Sequence, residues 1–368
     1  MTTAVYQPIS ARPAPAHTVG ALAWLRTHLF PDWKNALATA LVLGLASYYL
    51  PAMFEWAVTN SVTARDAQAC RAIGHSGACW GVVAEKFRFI LFGRFPFDEQ
   101  WRPLIATILL LGLLIASSLR RMWRLWLAAL WLAVLAAFFL LMRGGVFGMS
   151  PVDTARWGGF PLTMILTTLG ISAAFPLAIL VALGRRSDLP AIRALCTVYI
   201  ELIRGVPLIS VLFMASFMFP LFMPSGITPD VLLRVLAGII LFAAAYLAEV
   251  VRGGLQAVPA GQYEAAAALG LSYWQTQRKI ILPQALRNVV PGLVNSFIST
   301  YKDTSLVTIV GLYDLTGALS LALRGDAEWR QYYLEGYLFI ALIYWIGCYA
   351  MSRYSQRMEL VLHTGNRR

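Results

Sequence analysis

Eight apolar runs, each near the roughly 20 residues that a helix needs to cross a hydrocarbon core, lie at about 35–54, 103–119, 123–142, 160–183, 195–222, 231–251, 289–311 and 332–352. Inside lipid a backbone has no water to bond, so it must satisfy its own N–H and C=O groups, and runs of this length do so as α-helices. The expected fold is an all-α integral membrane protein of about eight transmembrane helices. Composition agrees: 59% of the 368 residues are hydrophobic and 13% charged, with a mean hydropathy of +0.65, too apolar for a soluble domain. The net charge of +12 would suggest nucleic acid in a soluble chain, but no nucleic-acid module is present. Here the basic excess is expected to fix loops on the cytoplasmic side. Residues 1–34, rich in Ala, Pro and Thr, are expected to form a disordered cytoplasmic tail rather than a signal peptide.

The longest polar break in the second half runs from Val258 to Pro283. Pro259 can open a helix at its first position, and the alanines up to Ala268 favour one to about Leu269. Gly270 ends it, because glycine takes the left-handed conformation at no steric cost. Ser272 and Gln275 have the spacing of a capping box, so a second helix is expected to Ile281, before Pro283. The product is a helix, a sharp corner and a helix. Its alanine face lets another surface approach the backbone closely, and Glu264 stands near the middle; the plainer alternative is an ordinary amphipathic loop between two spans.

Topology follows from the basic residues. With that loop inside, 17 of the 30 lysines and arginines are cytoplasmic and 10 external, a bias in the expected direction once the long outer loop is set aside. The outer loop, 56–102, holds Cys70 and Cys79 nine residues apart, where an oxidising compartment would favour a disulfide over two free thiols. Its aromatic run from Phe87 to Trp101 suits the membrane interface. Cys196 and Cys348 read as small packing residues.

Glu264-Ala265-Ala266, Gly270, and then Ile280, Leu282 and Pro283 resemble the EAA loop of ABC-importer membrane subunits. The resemblance implies that the loop is cytoplasmic and that its first helix sits in a groove of the ATPase, transmitting nucleotide-driven closure. CWGVVAEKFRFILFGRFPFDEQWRP, YIELIRGVPLI, AEVVRGGLQAVPAGQYEAAAALG and KDTSLVTIVG narrow it to polar amino-acid importers, similar to one of two permeases of the general L-amino-acid transporters of Gram-negative bacteria. The implied organisation is a type I importer core of five helices over 143–352, with a coupling loop at 252–288. Before it comes a three-helix extension over 35–142 with a periplasmic loop at 56–102, and after it a cytoplasmic tail at 353–368. The implied partners are a homologous second permease (a heterodimer), two ABC ATPase subunits, a periplasmic amino-acid-binding protein and the amino-acid substrate. The chain would lie in the bacterial inner membrane with both termini cytoplasmic. Neither Lys34, Lys86, Lys279 nor Lys302 sits in a Walker A loop, so ATP and Mg belong on the partner ATPase and no cofactor or catalytic residue is expected in this chain.

Charges within spans cost roughly 3 kcal/mol each at the bilayer centre, so they should face protein or water. Glu201 and Arg204, and likewise Glu249 and Arg252, are three apart and close enough to pair, as ion pairs that stiffen the inner gate or brace the loop. Pro207 predicts a kink or break after the first pair. Asn295, Ser299 and Lys302 share one stripe of the span 289–311, with Asp303, Thr304 and Ser305 continuing its polar character. Such a face lines either the translocation path or a seam against the partner subunit. His17, His28, His75 and His363 lie outside the spans, against an intramembrane metal site. The alternative function is an ion-driven secondary amino-acid transporter, which would use Glu201, Glu249 and Asp303 but leaves the loop unexplained.

Overall fold

Small residues set the centre of the fold. Gly170, Ala174, Ala178 and Ala182 recur every fourth position on α7 (Gly159–Arg185), and Ala244 and Ala248 do so on α10 (Val231–Ala257); the five alanines have no exposed surface. Without bulk on those faces the two backbones approach closely, the usual device between membrane helices. A Cβ at Gly170 would stand 2.9 Å from Ile239. The first halves of α7 and α10 share one buried cluster and the second halves another, so the two helices run parallel.

The computed structural model describes residues 20–224 and 228–363, which fall into two units dividing between Trp80 and Gly81. The first unit holds α1 (Ala21–His28), α2 (Trp33–Phe54) and α3 (Ala67–Ile73). Residues 1–19 lie outside the description, but α1 shows that the expected disordered tail contains a helix, built on the apolar run around Trp24. Asp32 caps α2 through Asn35 N–H at 2.9 Å, and α2 is apolar all round with no buried residue. Beyond it Cys70 and Cys79 are disulfide-bonded, Cα to Cα 5.5 Å, and both are fully buried. Val62 N–H to Ala78 O (2.9 Å), Ala78 N–H to Trp56 O (2.7 Å) and Trp80 Nε1–H to Ala57 O (2.8 Å) close the segment. Closing so short a loop is worth on the order of 2–3 kcal/mol. Mass spectrometry of unreduced protein should find the Cys70–Cys79 peptide pair and no alkylation at either thiol; two alkylated cysteines without reductant would remove the bridge.

The second unit begins with α4 (Gly81–Phe92), followed by α5 (Trp101–Ser118) and α6 (Trp126–Arg143). The aromatic run expected at the membrane interface divides: Phe95 is buried and Phe92 packs on the core cluster, Phe97 and Trp101 are exposed, and Gly93 and Gly159 bring the end of α4 against the start of α7. Arg88 does not reach outward but donates to Gln100 Oε1 and Phe97 O, both at 2.8 Å. Lys86 meets Asp326 at 2.8 Å, and that hydrogen bond holds the Asp326 carboxyl below its usual range. Fully buried Arg102 donates to Leu141 O (2.7 Å) and Ser150 O (3.0 Å) and pairs with Glu99, tying α5 to the end of α6. The helices of the expected extension are divided between the two units. Its first helix belongs to the first unit, while α5 and α6 contribute Ala106, Leu110, Leu113, Val134 and Phe138 to the cluster around α7.

Among the described residues six helices are long and apolar enough to cross a membrane, up to seven if α8 (Pro190–Gly205) with α9 (Leu208–Phe213) and the turns after it, bent by 105°, counts as one span, against the eight expected. The bend falls at Val206-Pro207, where proline withholds an N–H from the helix ladder. The expected span 289–311 is not one helix: α14 (Val290–Asp303) is 14 residues, and a 3₁₀ turn follows over Thr304–Val310, ended by Gly311 at φ 85°. Thr304, whose hydroxyl bonds Tyr301 O at 2.9 Å, and the β-branched Val307, Thr308, Ile309 and Val310 weaken the α-helical ladder there. Last come α15 (Leu315–Arg324) and α16 (Tyr333–His363). The expected tail from 353 is thus helical as far as His363.

Candidate functional site

α10 runs past its apolar stretch to Ala257, and the polar break folds as a compact reversal on its end. Pro259 is the residue before the first helix rather than its first member: it is extended (ψ 142°), and α11 spans Ala260–Ala268. Gly270 N–H bonds Ala267 O (2.9 Å) and Leu271 N–H bonds Ala266 O (3.2 Å), the two bonds of a Schellman end, with Gly270 left-handed at φ 68°. Ser272 and Gln275 then cap each other reciprocally, at 3.0 and 3.4 Å, to start α12 (Tyr273–Thr276).

The second helix does not stop at Pro283. A π turn over Gln277–Ile281 shifts the ladder by one residue, Leu282 N–H bonding Gln277 O, and α13 (Leu282–Asn288) continues with Pro283 in its first turn. There a missing N–H costs little. α13 packs back on α10, and Gly254 permits the contact: a Cβ there would be 2.5 Å from Ala285 O.

The seven residues of the expected coupling signature divide by role. Ala266 is buried and Ile280 and Leu282 pack on the inner cluster, fixing the loop to α10. Glu264, Ala265, Gly270 and Pro283 are exposed, beside Leu269, Tyr273 and Trp274, of which Leu269 is 76% and Trp274 64% exposed. Glu264 has no ion-pair or hydrogen-bond partner among the described residues. The loop thus presents a rigid corner with one carboxylate and an apolar rim.

Directly above it, Glu249 of α10 is the hub of an ion network. Arg252 grips both its oxygens (3.0 and 3.1 Å), Arg185 from the end of α7 hydrogen-bonds one of them, and Arg204 of α8 stands at 3.8 Å. The expected Glu201–Arg204 pair does not form: Glu201 bonds Arg185 at 2.7 Å, while Arg204 turns to Glu249 and lies 5.5 Å from the Tyr246 ring centre. Helical spacing made Arg204 a possible partner, but the tertiary fold brings a better-placed guanidinium from another helix. Arg185 was hidden in sequence as one more basic residue at a span end.

The polar stripe splits. Asn295, Ser299 and Lys302 are exposed along one face of α14. Asp303, Thr300 and Thr304 turn inward to a small pocket closed by Leu208, Ile239 and Phe242. Ser305 is half-buried in the 3₁₀ turn. Sequence reasoning passed over Asp314, which is fully buried, caps α15 through Gly317 N–H (2.9 Å) and accepts from Tyr344 OH (2.8 Å) and Thr308 (3.4 Å). Its only sequence signal was an acid just before an amphipathic helix.

Residues 174–359, which contain the loop, the hub and the pocket, match the family "binding-protein-dependent transport system inner membrane component". The inner membrane amino-acid ABC transporter permease protein YhdY of Escherichia coli (strain K12) is 46% identical over 362 residues, 96% of each chain. The glutamate/glutamine/aspartate/asparagine transport system permease protein BztC of Rhodobacter capsulatus is 36% identical over 423 residues, 98% of each. Among solved structures, an amino acid ABC transporter with histidines matches 55% of this chain and 91% of its own, at 30% identity and a TM-score of 0.48. With half its length in that family and nearly all of it aligned to YhdY, the chain belongs to the binding-protein-dependent transport system inner membrane components.

Proposed function

We propose that this chain is one permease of a heterodimeric pair that carries polar or general L-amino acids across the inner membrane, driven by ATP hydrolysis on two partner subunits that hold the nucleotide and Mg. Membership of the family makes the chain an inner-membrane subunit of an ABC importer, working with an ATPase and a binding protein. The amino-acid class comes from the relatives, two permeases named for amino-acid transport. The observation that carries the coupling is the exposed corner at Gly270, presented on a root buried against α10. On this reading Glu264, Ala265 and the rim of Leu269 and Trp274 enter the ATPase groove on the cytoplasmic side, where both termini also lie.

The exposed stripe of Asn295, Ser299 and Lys302 meets the second permease or the path between the two, since so polar a face is costly against lipid. Asp303 and Thr304 face the pocket at the α8–α9 bend. Lys302→Met and Asp303→Asn are expected to lower uptake of labelled amino acids while the complex still assembles; normal uptake in both, with cysteines at 302 and 303 reached only by lipid-soluble reagents, would remove these residues from path and seam. The test of the function as a whole is reconstitution in liposomes. Uptake requires the ATPase, the binding protein and ATP together; uptake by this chain alone in an ion gradient would instead make it a secondary transporter.

A further inference from the structure

Arg185 and Arg186 are consecutive at the end of α7, and their side chains lead in different directions, as neighbours about 100° apart on a helix do. Arg185 enters the ion network, bonding Glu201 at 2.7 Å and Glu249 of α10. Arg186 reaches the loop: its Nη1 lies 3.2 Å from Tyr263 OH of α11, with the guanidinium 5.6 Å from the ring centre. Tyr263 OH in turn lies 3.4 Å from Leu255 O of α10. One dipeptide therefore touches the coupling helix with one residue and the hub with the next.

From the hub the contacts continue. Arg204, one residue before the last of α8, faces Glu249, and four residues further Leu208 opens α9 beyond the 105° bend and lines the pocket that Asp303 also lines. The hub has more than one way to pair. Arg185, Arg204 and Arg252 surround the carboxylates of Glu201 and Glu249, and Arg204, at 3.8 Å, is beyond hydrogen-bond reach while Arg185 and Arg252 occupy Glu249. If the end of α7 withdraws Arg185 from Oε1 of Glu249, the carboxylate loses one partner, and Arg204, 3.8 Å from Oε2, can close on it and draw the end of α8 with it. A partly buried carboxylate with one guanidinium in excess is a two-arrangement element of the kind that transmits a shift between sites.

We propose that Arg185 and Arg186 are positioning residues that pass movement of the coupling helix to the α8–α9 bend, by exchanging Arg185 for Arg204 on Glu249. The proposal rests on the reading that α11 docks on the ATPase. Arg186 neither docks nor lines the pocket, so its loss should uncouple rather than inactivate.

The test uses the reconstituted complex with loaded binding protein, measuring ATP hydrolysis and amino-acid uptake in the same vesicles. Arg186→Gln should keep stimulated hydrolysis within about twofold of wild type and lower substrate carried per ATP by about fivefold or more, the low end of coupling between sites. Tyr263→Phe, which removes only the hydroxyl, should act in the same direction and decides the matter if Arg186→Gln does not assemble. On a Glu249→Gln background, Arg186→Gln should add no further loss, because both act through one element; independent structural losses would multiply. An unchanged ratio in both single variants, multiplied losses in the double variant, or hydrolysis and uptake falling in proportion would each overturn the proposal. Glu264→Ala run alongside separates the premise: full stimulation and uptake there would sink the docking reading itself, whatever Arg186→Gln does.

Discussion

Glu249→Gln is expected to destabilise the permease by about 3 kcal/mol, the lower end of the range for removing one partner of a buried ion pair. The lower end applies because the Glu249 side chain is 17% exposed rather than fully enclosed. The loss comes less from the hydrogen bonds themselves than from what remains, since Arg185, Arg204 and Arg252 would be left facing one another around a neutral amide. Glu201→Gln should cost under about 1 kcal/mol, because that side chain is 58% exposed and water screens the pair. Thermal unfolding of the detergent-purified chain separates the two: a drop of several degrees for Glu249→Gln and little for Glu201→Gln. Equal small shifts would mean that the hub does not hold α7, α8 and α10 together.

That hub marks where sequence stops being sufficient. Pairing of Glu249 with Arg252 is a local matter of helical spacing and was legible, as were the Pro207 bend, the Gly270 corner and the Ser272–Gln275 cap. Each is decided within a few residues of chain. Arg185 joining Glu249 across 64 positions is decided by how α7 lies beside α10, which follows from small residues whose role shows only when both helices are in place.

The same reason explains α4. Its aromatics have the composition of an interfacial segment, and what brings Phe92 and Phe95 onto the core, while Phe97 and Trp101 stay exposed, is the close approach of Gly93 to Gly158. The span 289–311 misled in a different way. Hydropathy measured its length, but the run of hydroxyl and β-branched residues after Asp303 winds as a 3₁₀ turn. Of the polar stripe, the face was legible and its division into an exposed row and a pocket row was not, since periodicity places residues on a helix and not against a neighbour.

Gly270→Val is expected to have the largest effect on function. Nothing lies within 4 Å of where its Cβ would be, so the change is not a clash; it acts on the backbone, held at φ 68°. A β-branched residue in that conformation costs about 1–2 kcal/mol or abandons it. If abandoned, the Schellman bonds at Ala266 and Ala267 are lost and α12 starts in another direction, carrying Tyr273 and Trp274 away from the rim they share with Leu269. The membrane helices, which take no support from this corner, should insert and pack as before.

Glu264→Ala tests the same surface by chemistry instead of geometry. Removing one member of a desolvated charge pair at such an interface costs roughly 2–5 kcal/mol. The direct measurement is the ATPase rate of the complex reconstituted in liposomes, with and without amino-acid-loaded binding protein, for wild type, Glu264→Ala and Gly270→Val. Wild type should be stimulated by loaded binding protein, and both variants should either lose the ATPase from the complex or hydrolyse ATP at a rate that no longer responds to it. Full stimulation with wild-type uptake in both would show that this loop is not the element linking ATP hydrolysis to transport.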